Sequence, residues 1–191
     1  MIERIETNIS GVILFKPKIF RDHRGFFIET YSEQKYSSVG LDVKFLQDNF
    51  SHSKKNTIRG LHYQVTKPQG KLVRVTQGKV FDVAVDVRIG SPSFGQSFST
   101  ILDDEKFYQL YMPPGIAHGF CVMSDSADFE YKCTEYYFPN DEAGVLYNDP
   151  DLAIDWPCDS ASLSEKDLNF PKLSEISEDK LPDYHLLNKI V

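Results

Sequence analysis

The 191 residues include only three cysteines, Cys121, Cys133 and Cys158, an odd number with no CxxC spacing. Neither a disulfide framework nor a zinc finger fits that pattern, and reduced cytosolic thiols are the simplest expectation. Positive charge is also short: 21 Lys and Arg stand against 28 Asp and Glu, for a net charge of −7. That balance argues against a broad nucleic-acid-binding face but leaves room for one small anionic ligand. No apolar stretch approaches the roughly 18 residues of a membrane-spanning helix. The opening Met-Ile-Glu-Arg-Ile-Glu lacks a cationic region followed by an apolar one, so a cytoplasmic chain free of membranes is expected. Internal repeats and low-complexity runs are missing too, and helical periodicity is scarce from Gly11 to about Trp156.

Aromatic residues are plentiful. Fourteen Phe, ten Tyr and one Trp make up 13% of the chain, a composition that suits pleated sheets better than an alanine-rich bundle. The length fits one domain over 1–191, with a β core over about 11–157 and a helical C-terminal segment over about 158–191. The clearest strand is Lys79 to Arg88: Phe81, Val83, Val85 and Val87 share one face, while Asp82, Ala84 and Asp86 share the other. A second is expected from Phe129 to Tyr137. Further candidates are Val12 to Phe15, Phe26 to Tyr31, Ile58 to Gln64, Leu72 to Gln77, Gln109 to Met112 and Gly119 to Met123, separated by turn signals. Many short strands at this spacing predict an all-β sandwich or jelly roll. After Trp156-Pro157, Ser162-Leu163-Ser164-Glu165 reads as a capping box that starts a helix near Leu163.

Five histidines are present, and His23, His52 and His185 read as ordinary hydrogen-bonded residues. His118 ends the run Pro113-Pro114-Gly115-Ile116-Ala117-His118, whose Pro-x-Gly-x-x-His spacing resembles the second half of the cupin pattern. The first half of that pattern needs His-x-His and a downstream Glu to hold a metal, whereas His62 is followed by Tyr63 and Gln64. Two or three ligands are lacking, so no metal and no cofactor are expected. Arg59, Lys71, Asp82 and Tyr131 are charged or phenolic groups on otherwise apolar strands, the composition of an acid–base site.

Together these runs amount to a resemblance. Phe20-Arg21-Asp22-His23-Arg24-Gly25-Phe26-Phe27-Ile28-Glu29, Phe45-Leu46-Gln47-Asp48-Asn49, Ile58-Arg59-Gly60-Leu61-His62-Tyr63-Gln64, Gly70-Lys71-Leu72-Val73-Arg74-Val75 and Val80-Phe81-Asp82-Val83-Ala84-Val85-Asp86 resemble the dTDP-4-dehydrorhamnose 3,5-epimerase family. The likeness continues through Pro114-Gly115-Ile116-Ala117-His118-Gly119-Phe120, Tyr131 to Tyr137, Asn148-Asp149-Pro150, Ile154-Asp155-Trp156-Pro157 and Leu163-Ser164-Glu165-Lys166-Asp167. It covers nearly the whole chain. Departures are Thr57-Ile58 before the Arg-Gly-Leu-His run, and Cys121 and Cys133 where Val, Leu or Thr would be usual.

The resemblance implies a cupin-type jelly roll without metal, a homodimer that exchanges strands, and action on a nucleotide-linked 4-keto-6-deoxyhexose. Its reaction inverts C5 and C3. Both carbons flank the C4 ketone, so loss of either proton gives an enolate that needs a base, an oxyanion partner and an acid. The resemblance makes His62 the base, with Asp167 bonded to its far ring nitrogen. Lys71 becomes the cation beside the C4 oxygen with Asp82 holding it, and Tyr131 the acid on the opposite face. Arg24, Arg59 and Lys166 match positions that meet the diphosphate or base end. Glu29, Gln47, Asp48, Asn49 and Glu142 match positions around the base and sugar, and His118 and Tyr137 match the pocket, where Phe26 and Phe27 would stack or wall. A C3-only epimerase or a ketoisomerase shares the same base and enolate partner, so motif spelling leaves these open. An inert sugar-nucleotide-binding jelly roll would not need an acid and a base together. A metal-dependent cupin oxygenase would need a bound ion at His118.

Overall fold

The protein is described by a computed structural model covering residues 2–187. Its strands are β1 (Glu3–Glu6), β2 (Ile13–Lys16), β3 (Ile19–Asp22), β4 (Gly25–Ile28), β5 (Gln47–Lys54), β6 (Ile58–Gln64), β7 (Lys71–Gln77), β8 (Lys79–Asp86), β9 (Ser97–Asp103), β10 (Gln109–Met112), β11 (Ile116–Val122), β12 (Ser126–Cys133) and β13 (Glu142–Gly144). Helices are short: α1 (Glu33–Ser38), α2 (Glu165–Leu168) and α3 (Tyr184–Leu187). Six strands pair in the order β1-β2-β10-β7-β12-β5, five in the order β13-β6-β11-β8-β9, and β3 pairs with β4 as a separate hairpin. This is the expected all-β jelly roll.

Alternation of side chains sorts the apolar residues into three layers. Between the two large sheets lie Leu14, Val73, Val75, Leu110, Met112 and Phe129 from one wall and Val80, Ala84, Leu102, Ile116, Phe120 and Val122 from the other. Outside the five-stranded sheet, Leu61, Tyr63, Val83, Val85, Val87 and Ala117 pack under Val145, Leu152 and Leu173. Outside the six-stranded sheet, Ile13, Phe15, Leu72 and Tyr111 pack under Tyr36 and Leu41. Burying each such side chain contributes about 1.5–3 kcal/mol before the cost of ordering it. The apolar face of β8 therefore meets the C-terminal layer, and its carboxylate face points into the barrel.

Three expectations need correction. The second predicted strand runs Ser126–Cys133 rather than Phe129 to Tyr137. Beyond Cys133 the chain turns, and side-chain oxygens of Gln47 and Gln64 take up the N–H groups of Tyr137 (3.0 Å) and Phe138 (2.8 Å) that a ladder would have used. The C-terminal helix starts at Glu165, capped by Ser164, whose hydroxyl accepts from the Asp167 N–H at 3.2 Å. Ser162 is unavailable as a cap because its N–H and C=O are bonded to Asn56 and to Ile58. The rest of the segment over 158–187 is single turns and irregular chain carrying isolated anchors such as Leu173, and residues 188–191 lie outside those described.

Candidate active site

A bulge sets the first wall. β6 and β11 pair as His62 with His118, but after a register shift Arg59 pairs with Phe120 and Ile58 with Cys121. Arg59 consequently shares the inner face with His62, although simple parity would put them on opposite sides. Gly60 and Gly119 allow the close approach: Gly60 has φ +126°, and a Cβ there would stand 2.4 Å from the Gly119 Cα. Arg59 reaches across to β5, donating from Nε to Ser53 Oγ at 2.9 Å.

His62 donates from Nε2 to Asp167 Oδ1 at 2.7 Å. The bond fixes the tautomer and leaves Nδ1 as the basic nitrogen, 3.7 Å from Glu142 Oε1. Asp167 is buried, which opposes its ionisation, yet donors at His62, the Gly60 N–H and Ser164 outweigh burial and hold its carboxyl below the usual range. Phe170 sets its ring edge-on to His62, centroids 5.6 Å apart, in the space where a Cβ on Gly144 would meet it at 2.5 Å. Ser164, Ser53 and Phe170 were not found from the sequence. Only the Ser in the capping segment carried a signal there, because a phenylalanine seated over a glycine leaves no pattern in one chain.

Deeper in the barrel, His118 donates from Nε2 to Asp82 Oδ2 at 2.9 Å and stacks on Phe129, centroids 5.8 Å apart. Asp82 is fully buried, and its Oδ1 has no hydrogen-bond partner among the described residues. The expectation that Asp82 holds Lys71 needs correction: among the described residues no hydrogen bond or ion pair joins them, the carboxylate is bonded to His118, and only its charge reaches Lys71 from the opposite sheet. Burial pushes the Lys71 ammonium below the ordinary lysine range, against the opposing pull of Cys133, Glu142 and Asp82.

The second wall is the six-stranded sheet. Tyr131 pairs with Val73 and Asn49, and Cys133 with Lys71 and Gln47, so these side chains share the inner face. Burial raises the Tyr131 phenol above its ordinary range, with Cys133 and Glu142 adding to the shift and Arg59 opposing it. Asn49 donates to Cys133 Sγ at 3.6 Å and accepts from Gln47 Nε2 at 2.9 Å. Burial likewise pushes the Cys133 thiol up to about 11. At the rim, Glu142 Oε2 accepts from the Tyr137 hydroxyl at 2.7 Å and from Lys166 Nζ at 2.9 Å.

Three expected residues do not join this cluster. Asp48 falls on the outer face by parity and pairs with Lys132 at 3.0 Å. Arg24 sits at the β3–β4 turn, exposed and paired with Asp22 at 2.7 Å, and Glu29 follows β4 and pairs with Lys35 at 2.8 Å. Phe26 and Phe27 lie on that same hairpin, which ladders with neither large sheet. Among the described residues, no three His, Cys, Asp or Glu side chains converge as metal ligands.

A jelly roll with an aspartate-held histidine on one wall and a buried phenol on the other belongs to the class of acid–base enzymes built without a ligating histidine pair. The chain matches the family model of dTDP-4-dehydrorhamnose 3,5-epimerase over residues 6–175, and it belongs to that family. A dTDP-4-dehydrorhamnose 3,5-epimerase of Pseudomonas aeruginosa is 51% identical over 83% of this chain and 89% of that one. The solved dTDP-6-deoxy-D-glucose-3,5-epimerase of Legionella pneumophila, in complex with dTDP-4-keto-L-rhamnose, is 48% identical with a TM-score of 0.93, covering 96% of this chain and 99% of its own. A dTDP-4-dehydrorhamnose 3-epimerase of Streptomyces niveus is 38% identical over 92% of this chain and 86% of that relative.

Proposed function

We propose that this enzyme inverts C5 and C3 of a dTDP-linked 4-keto-6-deoxyhexose, converting dTDP-4-dehydro-6-deoxy-D-glucose to dTDP-4-dehydro-L-rhamnose. The observation that carries this reading is His62, held at Nε2 by Asp167 on one wall and facing a wall that bears Tyr131. In this reading Nδ1 of His62 takes the proton beside the C4 ketone. Charge develops on the C4 oxygen, where Lys71 stabilises it, and Tyr131 returns a proton from the opposite face. Removal on one face and return on the other is what inverts a stereocentre. Burial keeps the Tyr131 phenol protonated at neutral pH, as a donor requires. Asp82, His118 and Tyr137 line the sugar end, Arg59 and Lys166 meet the diphosphate or base end, and Gln47, Asn49 and Glu142 lie around base and sugar. Incubation with dTDP-4-keto-6-deoxyglucose in deuterated water tests the outcome: exchange at both C3 and C5 is expected, and exchange at C3 alone would make it a 3-epimerase.

The working form in this reading is a homodimer. Phe20, Phe26 and Phe27 on the β3–β4 hairpin are 51%, 50% and 67% exposed, and Phe50 on the outer face of β5 is 60% exposed. Such an aromatic surface is unusual on a monomer, and a second copy that covers it would also carry its Arg24 and Glu29 toward a site they cannot reach at home. Sedimentation should give twice the chain mass, and a monomer at micromolar concentration would refute the assignment. No described helix is long and apolar enough to cross a membrane. The nucleotide-sugar substrate supports a cytoplasmic location.

A further inference from the structure

Cys121 and Cys158 play no part in the site, yet the fold brings them close. Cys121 lies on β11 opposite Ile58 and Phe81, on the outer face of the five-stranded sheet, and is fully buried. Cys158 is half-buried in the strap that crosses that face on its way to α2. The strap is fixed on both sides of it. Trp156 sets its ring against Phe81, centroids 5.8 Å apart, and its indole N–H donates to the Tyr147 carbonyl at 2.7 Å. Ser162 is bridged to Thr57, and its carbonyl accepts from the Ile58 N–H at 2.9 Å. Cys121 pairs with both Phe81 and Ile58, the two positions these anchors hold, so the strap carries Cys158 past Cys121, near enough for it to add to the upward push that burial gives the Cys121 thiol. Two residues beyond Ser162, Ser164 caps the helix that presents Asp167 to His62.

We propose that Cys121 and Cys158 are an oxidisable pair, closed to a disulfide by hydroperoxides, and that the bond pins the Asp167-bearing strap to the barrel. Cys158, the more accessible sulfur, attacks the peroxide: an S–O bond forms, the O–O bond breaks, and the departing oxygen leaves as water with the thiol proton. Cys121 then attacks the sulfenic sulfur, forming the S–S bond and releasing the second water with its own proton. Two thiols give up two electrons and hydrogen peroxide takes them. Burial pushes the Cys121 thiol up to about 12, which leaves first attack to Cys158. A disulfide needs the two sulfurs about 2 Å apart, and the strap that carries Cys158 is short enough between its anchors to hold it over Cys121. The bond would close a loop of residues 121–158, which restricts the unfolded chain and favours the folded one.

The test treats the folded enzyme with hydrogen peroxide and maps it without reduction. A peptide linking Cys121 to Cys158 is expected, with an intact mass lower by about 2 Da and a thermal midpoint raised by several degrees, both reversed by dithiothreitol. Cys158→Ser should keep basal turnover and lose the linkage and the shift. Cys121→Ser should stop at the sulfenic or sulfinic acid on Cys158. Three free thiols after treatment, a linkage through Cys133, or a midpoint unchanged by a formed 121–158 bond would each overturn the proposal.

Discussion

Asp82 and Asp86 stand four residues apart on the inner face of β8, both fully buried, and their surroundings differ completely. Asp86 accepts from the Arg88 backbone and guanidinium and from the Ser91 and Ser93 hydroxyls, at distances from 2.5 to 3.0 Å. Arg88 in turn donates to the Ser10 carbonyl at 2.8 Å, tying the N-terminal turn to the barrel. Asp82 has one donor, His118, and an oxygen with none among the described residues. A buried carboxylate that fills its acceptor capacity is a structural tie, because the cost of desolvation is offset on the spot. One left partly unfilled beside His118 and within reach of the Lys71 charge is arranged for something that binds. One end of the barrel is closed by hydrogen bonds and the other is kept open for chemistry.

The largest expected effect falls at the open end. His62→Ala should lower kcat by about 10³-fold or more, as removal of a general base does, while affinity for dTDP and the thermal midpoint move little. Steady-state kinetics with a binding titration check this, and an unchanged kcat would remove His62 from the mechanism. At the closed end the effect should invert. Asp86→Ala strands Arg88, which is 3% exposed, and should cost about 3–5 kcal/mol of stability while whatever remains folded keeps its kcat. Burial opposes ionisation of Asp86, but its donors win and hold its carboxyl below the ordinary range. A depressed folded pKa means a stabilisation present above about pH 4 and lost as pH falls through the folded value. Denaturant midpoints of the two proteins should therefore converge in acid, and a gap that stayed constant with pH would contradict the assignment.

The strand most legible in the sequence, β8, is the one whose two faces differ most: Val83, Val85 and Val87 announce a buried side, and Asp82 and Asp86 a polar one. What alternation did not reveal was that the polar side is also buried, because it turns into the barrel, where His118 takes up Asp82 and Arg88, Ser91 and Ser93 take up Asp86. The strand β5 went unread because Gln47-Asp48-Asn49-Phe50-Ser51-His52-Ser53-Lys54 holds a single large apolar residue and sits at a sheet edge, where ladder bonds rather than burial define it. Site residues carried by motif resemblance reach the barrel at His62, Lys71, Tyr131, His118 and Asp167. Those that do not, Arg24 and Glu29, lie on or just beyond a hairpin that ladders with neither large sheet. Asp48 illustrates the limit of a motif at one-residue resolution: its neighbours Gln47 and Asn49 face inward, so it must face out.

The smallest effect probes how far the open end extends. Glu142 resembles Asp82 in being incompletely engaged: one oxygen takes both the Tyr137 hydroxyl and Lys166, while the other stands 3.7 Å from the basic nitrogen of His62. Burial raises its carboxyl, but the donors at Tyr137 and Lys166 and the nearby His62 outweigh that and hold it low. Tyr137→Phe keeps the ring and deletes only the donor, so the Glu142 carboxyl should rise toward the ordinary range. Because Glu142 is then ionised over a narrower span, the acid limb of kcat/KM should move up by a fraction of a pH unit, with a loss of a few fold near pH 5 and little above pH 8. A pH–rate profile identical to that of the wild type would place Glu142 with Asp86, as a carboxylate that holds the fold and leaves the base alone.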